Sequence, residues 1–253
     1  MENEGIVKRT LHDSGYRLNI GFLYGRLMNI YGDRGNVAAL ARRAEWRGIE
    51  THVRVLNAGE QIDPDECDVY VFGGGQDKEQ YVVADDLARG AGERLRAAVE
   101  GGAVLFSVCG GYQLLGHYYR PRGHEELRGL GLLDVHTVAG DTRFIGNVAL
   151  DGPMGELVGF ENHSGRTYLG PDAPPLGTVT KGSGNNGEDG TEGAVSGTVY
   201  GTYLHGPILP KNPALADRLI VQALQRRHSG VELPPLNDDV ERAAHQSAAA
   251  RPR

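Results

Sequence analysis

The residue with the clearest chemical potential is Cys109, which stands where a predicted strand meets a predicted helix. The apolar run 103–106 has the length and composition of a buried strand, and residues 112–115 look like the first turn of a helix. A sharp strand-to-helix turn that carries the nucleophile is a nucleophile elbow. The helix N-terminus carries partial positive charge and favours a thiolate, so the pattern predicts a reactive cysteine.

Two glycines, Gly110 and Gly111, follow this cysteine directly. They keep side chains away from the sulfur and leave the Gly110 amide free to bind a developing oxyanion. The competing interpretation is that Cys109 is a small buried hydrophobic residue, as most free cysteines are. That interpretation leaves the paired glycines without a purpose, so we favour the nucleophile.

A cysteine nucleophile needs a base, and His205 has the most suitable setting of the nine histidines. It ends the short apolar strand predicted at 202–204, and Gly206 and Pro207 then turn the chain away. A histidine in that place can face the elbow and exchange a proton near neutral pH. Most of the other histidines are interpreted as structural or solvated residues, and the role of His163 stays open.

The elements that position these residues alternate between strand and helix in the first half of the chain. Strands are predicted at 18–23, 50–56, 68–72 and 103–106, and helices at 37–47 and 86–99. This order indicates a parallel sheet with right-handed crossovers, which binds ligands beyond the carboxyl ends of its strands. The glycines at 73–75 and Cys109 both follow such ends and are expected to meet there.

Strands dominate the second half of the chain. One domain is predicted over residues 18–228, between two segments that are predicted to be tails. Residues 182–190 are predicted to form a flexible hairpin loop, and 212–227 form an amphipathic helix. The polar segment 1–17 and the Pro-, Ala- and Arg-rich segment 229–253 are predicted to be flexible tails. Further strands are predicted at 132–138, 142–150, 157–161, 177–181, 193–200 and 202–204.

Composition narrows the functional classes. The net charge of −7 comes without a basic patch, so no nucleic acid is expected as a partner. No apolar run is long enough to span a membrane, and the acidic N-terminus lacks the apolar core of a signal peptide. A cytoplasmic protein is therefore expected. The two cysteines form no disulfide framework, and no metal-binding motif occurs.

The motifs together resemble the class I glutamine amidotransferases, and most closely their cobyric-acid-synthase-like branch. The resemblance is carried by 109–116 and 201–207, and three further stretches narrow it to the glutaminase subunits of lipid II isoglutaminyl synthases. Those stretches are 28–36, 72–80 and 140–147. The resemblance implies a flavodoxin-like α/β fold, with a central mostly parallel sheet flanked by helices and a β-rich C-terminal half.

The resemblance also implies roles for five residues. Cys109 attacks the carboxamide of glutamine, and His205 moves the protons. The amides of Gly110 and Gly74 form the oxyanion hole. Arg143 holds the substrate, since a guanidinium suits the α-carboxylate of glutamine. The alternative for Arg143 is a surface residue on a strand.

The chain departs from many class I amidotransferases at one place. A glutamate two residues after the histidine commonly orients it, whereas here that residue is Pro207. A backbone carbonyl or a carboxylate from elsewhere must orient His205, or the site is a dyad. Glu161 is one candidate. Gln113 either lines the site or packs beside it.

The resemblance implies that this chain is half of a heterodimer and carries no cofactor. Amide synthesis needs ATP, and the sequence has no phosphate-binding P-loop. ATP and Mg²⁺ are therefore expected on a MurT-like partner of the Mur-ligase family. That partner would use the ammonia to amidate the D-glutamate of the lipid II stem peptide to D-isoglutamine.

Two other functions remain open from the sequence. The chain could be a glutaminase for a cobyrinic-acid-type substrate, although such enzymes usually carry an ATP-binding domain ahead of the glutaminase domain. It could also be a non-catalytic regulatory module on an amidotransferase scaffold. A non-catalytic module would not need the set of site residues found in this one chain, namely Cys109, His205 and the glycines at 73–75, so their presence argues against it.

Overall fold

The computed structural model of the protein describes residues 14–252, so most of the predicted flexible segment 1–17 lies outside the described residues. Strands and helices alternate in the first half, as the sequence predicts. These elements are β1 (Arg17–Leu23), α1 (Arg34–Glu45), β2 (Glu50–Leu56), β3 (Val69–Phe72), α2 (Asp77–Asp86), α3 (Gly92–Glu100), β4 (Val104–Val108) and α4 (Gly110–Leu115).

The second half is rich in strands, which confirms the predicted change of character. Its elements are β5 (Tyr118–Arg120), β6 (Leu127–Arg128), β7 (Val135–Gly152), β8 (Gly155–Leu169), β9 (Gly177–Lys181), β10 (Thr191–Glu192), β11 (Ala194–Ser196), β12 (Val199–Thr202), α5 (Pro213–Gln225) and α6 (Asp239–Ala249). The architecture is α/β, as predicted.

The first sheet has the strand order β11-β12-β4-β3-β1-β2 and is parallel except for β11. Every residue of β3 and β4 is buried, because helices cover both faces of the sheet. Leu40 and Leu219 lie in the core on one face, and Leu95 and Leu114 lie in the core on the other. Since β3, β4 and β12 are neighbours, the segments that follow them meet at one edge.

The second sheet is built on the long β7–β8 hairpin, in the order β10-β9-β7-β5-β6 with β8 also paired to β7. The register of the hairpin shifts between Ala139 and Phe144, which indicates a bulge. This sheet reaches the first one through Phe160, whose backbone exchanges two hydrogen bonds with His205 at 2.8 and 3.2 Å. The β-rich half therefore helps to hold a residue at the edge of the parallel sheet.

Helix α2 and the length of β7 differ from the sequence prediction. Helix α2 was not predicted, because its apolar residues do not form one clear stripe: Val83 is buried and the adjacent Val82 is half exposed. The two strands predicted at 132–138 and 142–150 are one strand, β7, which continues through the bulge. The turn-like residues between them indicated a break that the pairing with β8 overrides.

The C-terminal segment is not a featureless tail as predicted, because it contains helix α6. Asp238, just before the helix, pairs with the buried Arg43 at 2.7 Å, and His245 lies 3.1 Å from Glu156. These partners lie far away in sequence, so composition alone could not reveal them. The predicted domain bounds of 18–228 leave this helix out.

The loop at 182–190, predicted to be flexible, is largely buried at its start. The amides of Ser183 and Gly184 donate to the carboxylate of Glu161 at 3.0 Å. The Asn185 side chain donates to Gly193 O at 2.9 Å, and the Asn186 side chain donates to Thr167 O at 3.1 Å. The two asparagines of this loop thus satisfy buried backbone groups, which ties the predicted flexible loop to the fold.

Candidate active site

Cys109 occupies a sharp turn between β4 and α4, which confirms the predicted elbow. Its backbone angles are φ 50° and ψ −105°, a left-handed conformation that is strained for a residue with a side chain. The Cys109 amide donates to Thr202 O at 2.8 Å, and the Cys109 carbonyl accepts from the Gln113 amide at 2.9 Å. Hydrogen bonds to β12 and to the helix therefore hold the strained turn.

The paired glycines are explained by close approach to the neighbouring loop. A Cβ on Gly111 would lie 2.7 Å from Phe72 O, and a Cβ on Gly110 would lie 3.0 Å from the Gly75 nitrogen. Any side chain at these positions would push the elbow away from the segment that follows β3. The glycines thus let the two candidate oxyanion segments meet.

The structure brings Cys109, His205 and Gly74 together, as the sequence predicts. His205 follows β12, and its side chain is fully buried. A Cβ built on Gly74 would lie 3.2 Å from His205 Cε1 and 3.4 Å from Cys109 Cβ. Gly74 therefore lies in contact with both the candidate nucleophile and the candidate base.

The site holds a neutral thiol and a neutral imidazole rather than the expected thiolate. Burial, followed by the charge of Asp33, raises the pKa of Cys109 to about 12, although the Gly110 amide opposes the shift. Burial, followed by the charge of Arg143, lowers the pKa of His205 to about 4. Desolvation outweighs the helix N-terminus here. His205 can accept the thiol proton only as the reaction proceeds.

Asp33 is a site residue that the sequence analysis missed. Its Oδ1 lies 4.0 Å from His205 Nδ1, and its Oδ2 accepts from the Gly74 amide at 2.7 Å. Burial raises the pKa of this carboxyl to about 7, against the lowering effect of the Gly74 hydrogen bond. Asp33 belongs to the 28–36 stretch that carries the family resemblance, but nothing in that stretch indicated that its carboxylate would lie beside His205.

Glu161, the earlier candidate for orienting His205, has a different role. Its carboxylate is bonded to the loop amides of Ser183 and Gly184, while both ring nitrogens of His205 lack a hydrogen-bond partner within residues 14–252. Asp33 is therefore the carboxylate that the fold places beside the histidine. The earlier candidate was wrong because β8 directs Glu161 to the 182–190 loop.

The two predicted oxyanion donors differ in the hydrogen bonds that they make in this structure. The Gly110 amide bonds to the Cys109 sulfur, in keeping with its predicted place. The Gly74 amide is already bonded to Asp33, so its role as an oxyanion donor stays a prediction that requires release of that bond. The next amide, that of Gly75, has no hydrogen-bond partner in the described part of the chain and lines the cavity.

A cavity of about 890 Å³ opens above Cys109, and Arg143 lies at its rim. Arg143 lies in the irregular stretch of β7 between Ala139 and Phe144. It donates through Nε to the side chain of Asn162 and through a terminal nitrogen to the Asn162 carbonyl at 3.2 Å. Asn162 in turn donates to the hydroxyl of Tyr31, whose ring stands edge-on to His205. The guanidinium is thus held at the mouth of the cavity.

Within residues 14–252, no helix is long and apolar enough to cross a membrane, and no cluster of three side chains could hold a metal ion.

Gln113, whose role was open, is buried in a network at the cavity wall. It accepts from Gln80 at 2.8 Å and donates to the Tyr203 hydroxyl at 3.1 Å. Gln113 therefore both lines the cavity and packs beside it.

The known proteins that this chain resembles include glutamine amidotransferases and subunits of glutamine-hydrolyzing enzymes. The chain is 40% identical over 227 residues to subunit GatD of the glutamine-hydrolyzing lipid II isoglutaminyl synthase of Streptococcus pneumoniae, which covers 88% of this chain and 87% of that protein. It is 40% identical over 232 residues to GatD of Staphylococcus aureus, which covers 91% of this chain and 94% of that protein.

A solved glutamine amidotransferase shares the fold, with a TM-score of 0.55 at 17% identity over 81% of this chain and 98% of that chain. The sequence model of the CobB/CobQ-like glutamine amidotransferase domain matches residues 19–213, a range that contains Asp33, Cys109, Arg143 and His205. Because this match, the two relatives and the elbow geometry all agree, the chain belongs to the CobB/CobQ-like family of glutamine amidotransferases.

Proposed function

We propose that this chain is the glutaminase subunit of a lipid II isoglutaminyl synthase. The observation that carries the proposal is the strained Cys109 elbow at the cavity, with the buried His205 beside the same residue, Gly74. The support for the lipid II pathway is the 40% identity to two GatD subunits over most of both chains. The cytoplasmic location expected from the sequence is part of the same proposal.

The reaction begins when Cys109 Sγ attacks the side-chain carbonyl carbon of glutamine. His205 takes the thiol proton and gives it to the departing nitrogen, so ammonia leaves and a γ-glutamyl thioester forms. Water then attacks the thioester as His205 takes its proton, and that proton returns to the sulfur when glutamate leaves. The Gly110 amide, together with that of Gly74 or of Gly75, would bind the oxyanion of both tetrahedral intermediates.

Arg143 is proposed to bind the α-carboxylate of glutamine. Its guanidinium stands at the cavity rim and is oriented by Asn162, and no carboxylate within residues 14–252 pairs with it. A planar guanidinium can bind a carboxylate through two parallel hydrogen bonds. The substrate would then lie with its carboxamide toward Cys109.

We expect Arg143→Ala to lower kcat/KM for glutamine by roughly 10- to 150-fold, which corresponds to about 1.5–3 kcal/mol for a charge-assisted pair. Steady-state kinetics with glutamine measure the loss, which should lie mainly in KM. Arg122→Ala is the matched control, since Arg122 is also exposed and pairs with Asp141 at 3.1 Å without lining the cavity. Unchanged glutamine kinetics in Arg143→Ala would reassign this arginine.

The amide-forming half of the reaction is proposed to take place on a MurT-like partner that binds ATP and Mg²⁺. Amidation of a carboxylate needs an activated acyl group, and the glycine-rich segments of this chain lack the lysine and hydroxyl residue of a P-loop. The acceptor is the α-carboxyl of D-glutamate in the lipid II stem peptide. The partner would dock over the cavity mouth, because ammonia released into water at neutral pH is mostly protonated.

The test supplies the partner with ATP, lipid II and either glutamine or a high concentration of ammonium salt. With ammonium we expect the partner to form the amide without this chain, and with glutamine we expect it to require an intact Cys109. Amide formation is measured by the mass of the stem peptide. Amidation from glutamine with the Cys109→Ala chain, or ATP consumption by this chain alone, would overturn the division of labour.

A cobyrinic-acid-type acceptor is the second candidate, favoured by the CobB/CobQ-like family match. Against it, this chain spans 87% and 94% of the two GatD relatives, with no large part of either left unmatched. Supplying the two acceptors in parallel separates these functions. Ammonia release from glutamine by this chain would exclude the alternative of a non-catalytic regulatory module.

A further inference from the structure

His163 is a buried cavity residue that the reaction described above does not use. It lies on β8, is 2% exposed, and lines the cavity that also contains Cys109 and Arg143. Its ring is stacked on the ring of Tyr203, with centroids 3.6 Å apart and planes 4° apart. Phe144 stands perpendicular to it at 5.6 Å. These contacts fix the orientation of the imidazole.

The hydrogen bonding of His163 determines which of its nitrogens carries the proton. Nδ1 lies 2.8 Å from the carbonyl oxygen of Gly165, and a carbonyl can only accept, so Nδ1 must donate. Burial lowers the pKa of this histidine to about 3, so the ring stays neutral at physiological pH. Nε2 is consequently an acceptor.

That acceptor is buried and lacks a partner among residues 14–252. A buried polar atom without a hydrogen bond costs stability, and each such atom in a native protein calls for an explanation, such as a catalytic role or a bound water, ion or ligand. His163 is one of the residues that line the cavity, whereas Nε2 itself has no accessible surface in this structure, so a ligand donor reaches it only when the surrounding side chains adjust to the ligand. The cavity wall therefore holds an uncharged acceptor that a bound ligand could satisfy.

Arg143 lines the same cavity as His163, and its charge adds to the effect of burial in lowering the pKa of that histidine. Phe144, the residue after Arg143, is paired with His163, and Arg143 is bonded to Asn162, the residue before His163. An α-amino acid carries its carboxylate and its ammonium on the same carbon. A ligand that presents its carboxylate to Arg143 therefore brings its ammonium to the same part of the cavity.

We propose that His163 Nε2 accepts a hydrogen bond from the α-ammonium of glutamine and makes His163 a specificity-determining residue for the α-amino acid. This inference rests on the proposed glutaminase function and deepens it. The neutral imidazole binds the ammonium without competing for the carboxylate that Arg143 binds. Simple amides that lack the α-amino group would leave Nε2 unsatisfied and would be rejected.

The test compares glutamine with glutaramate, which is glutamine without its α-amino group. We expect the wild-type chain, assayed with its co-purified partner subunit, to prefer glutamine in kcat/KM by at least about tenfold. His163→Phe keeps a ring to stack on Tyr203 but removes the acceptor. We expect it to reduce this preference by about tenfold or more, through loss of activity on glutamine.

His136→Phe is the matched control, because His136 is also stacked between aromatic rings, at 5.2 Å from Tyr118 and 5.4 Å from Tyr168, but does not line the cavity. It should keep the wild-type preference. If His163→Phe fails to fold, His163→Leu removes the same acceptor and takes its place in the test. The preference of the wild-type chain for glutamine over glutaramate tests the proposal without any variant.

The outcomes separate this inference from the proposed function. An unchanged preference in folded His163→Phe, or a wild-type preference near one, would overturn the role of His163 while glutamine hydrolysis stands. Absence of ammonia release from glutamine by the wild-type complex would instead overturn the glutaminase function. A wild-type preference that falls only in the His163 variants supports the inference.

Discussion

Replacing Cys109 with alanine is expected to abolish glutamine hydrolysis, with a loss of at least about 10⁴-fold, while the chain stays folded. The nucleophilic sulfur is the atom that forms the thioester, and no neighbouring side chain can replace it at the elbow. The φ of 50° at this position is unfavourable for cysteine and alanine alike, so the substitution adds no backbone strain. Ammonia release and circular dichroism measure the two parts of this prediction.

Cys67→Ala is the matched control, since Cys67 is the other cysteine of the chain. It lies just before β3, at the end of the parallel sheet opposite to the Cys109 edge, and its side chain is buried. We expect this variant to keep its activity. Glutamine hydrolysis by a well-folded Cys109→Ala chain would refute the assignment of the nucleophile.

A glutamine-like electrophile provides a second measurement of the same assignment. Burial raises the pKa of both thiols to about 12, so intrinsic acidity does not distinguish them. Selectivity must come from the cavity and from proton transfer to His205. We expect labelling of Cys109 and not of Cys67, read by mass spectrometry of the peptides. Equal labelling would show that the elbow confers no special reactivity.

The parts of the site that could be predicted from the sequence are those with local signals. The buried apolar strand, the cysteine and two glycines in succession define the elbow, because only a tight strand-to-helix turn needs that combination. His205 was identified by its place between a short strand and a Gly-Pro turn. Parallel-sheet topology then predicts that both residues lie at one edge of the sheet, as the structure shows.

The parts that could not be predicted depend on contacts between distant segments. Asp33 reaches Gly74 across 41 positions of sequence, and nothing in its own turn indicates burial. The protonation state of Cys109 was predicted from the helix N-terminus alone, whereas the structure adds the desolvation that outweighs it. Helix α6 is held by contacts with distant residues, Asp238 with Arg43 and His245 with Glu156, which the composition of its own segment does not show.

The His205–Asp33 pair gives the other prediction with a large effect. We expect His205→Asn to lower kcat for glutamine hydrolysis by roughly 10³- to 10⁴-fold, because the thiol then has no base to accept its proton. Steady-state ammonia release measures this loss. His117→Asn is a matched control, since His117 lies 2.8 Å from Asp134 in a solvent-exposed pair outside the cavity. That control should keep its activity.

Asp33→Asn should have a smaller effect, with a loss of roughly 10- to 100-fold above pH 7. This is less than the ~10⁴-fold loss for a triad aspartate that is hydrogen-bonded to its histidine, because Asp33 stands 4.0 Å from His205 Nδ1. An anionic Asp33 stabilises the imidazolium that forms when His205 takes the thiol proton. Asparagine keeps the shape and can still accept from the Gly74 amide, but it carries no charge.

The pH profile distinguishes this role from a purely structural one. The pKa of Asp33 is raised to about 7, so the carboxyl is neutral below that pH and charged above it. The pKa of His205 is lowered to about 4, so the histidine stays neutral across the same range and contributes no step there. Wild-type kcat/KM should therefore rise through about pH 7, and Asp33→Asn should lack this rise. A rise of the same size and midpoint in the asparagine variant would show that Asp33 does not assist His205.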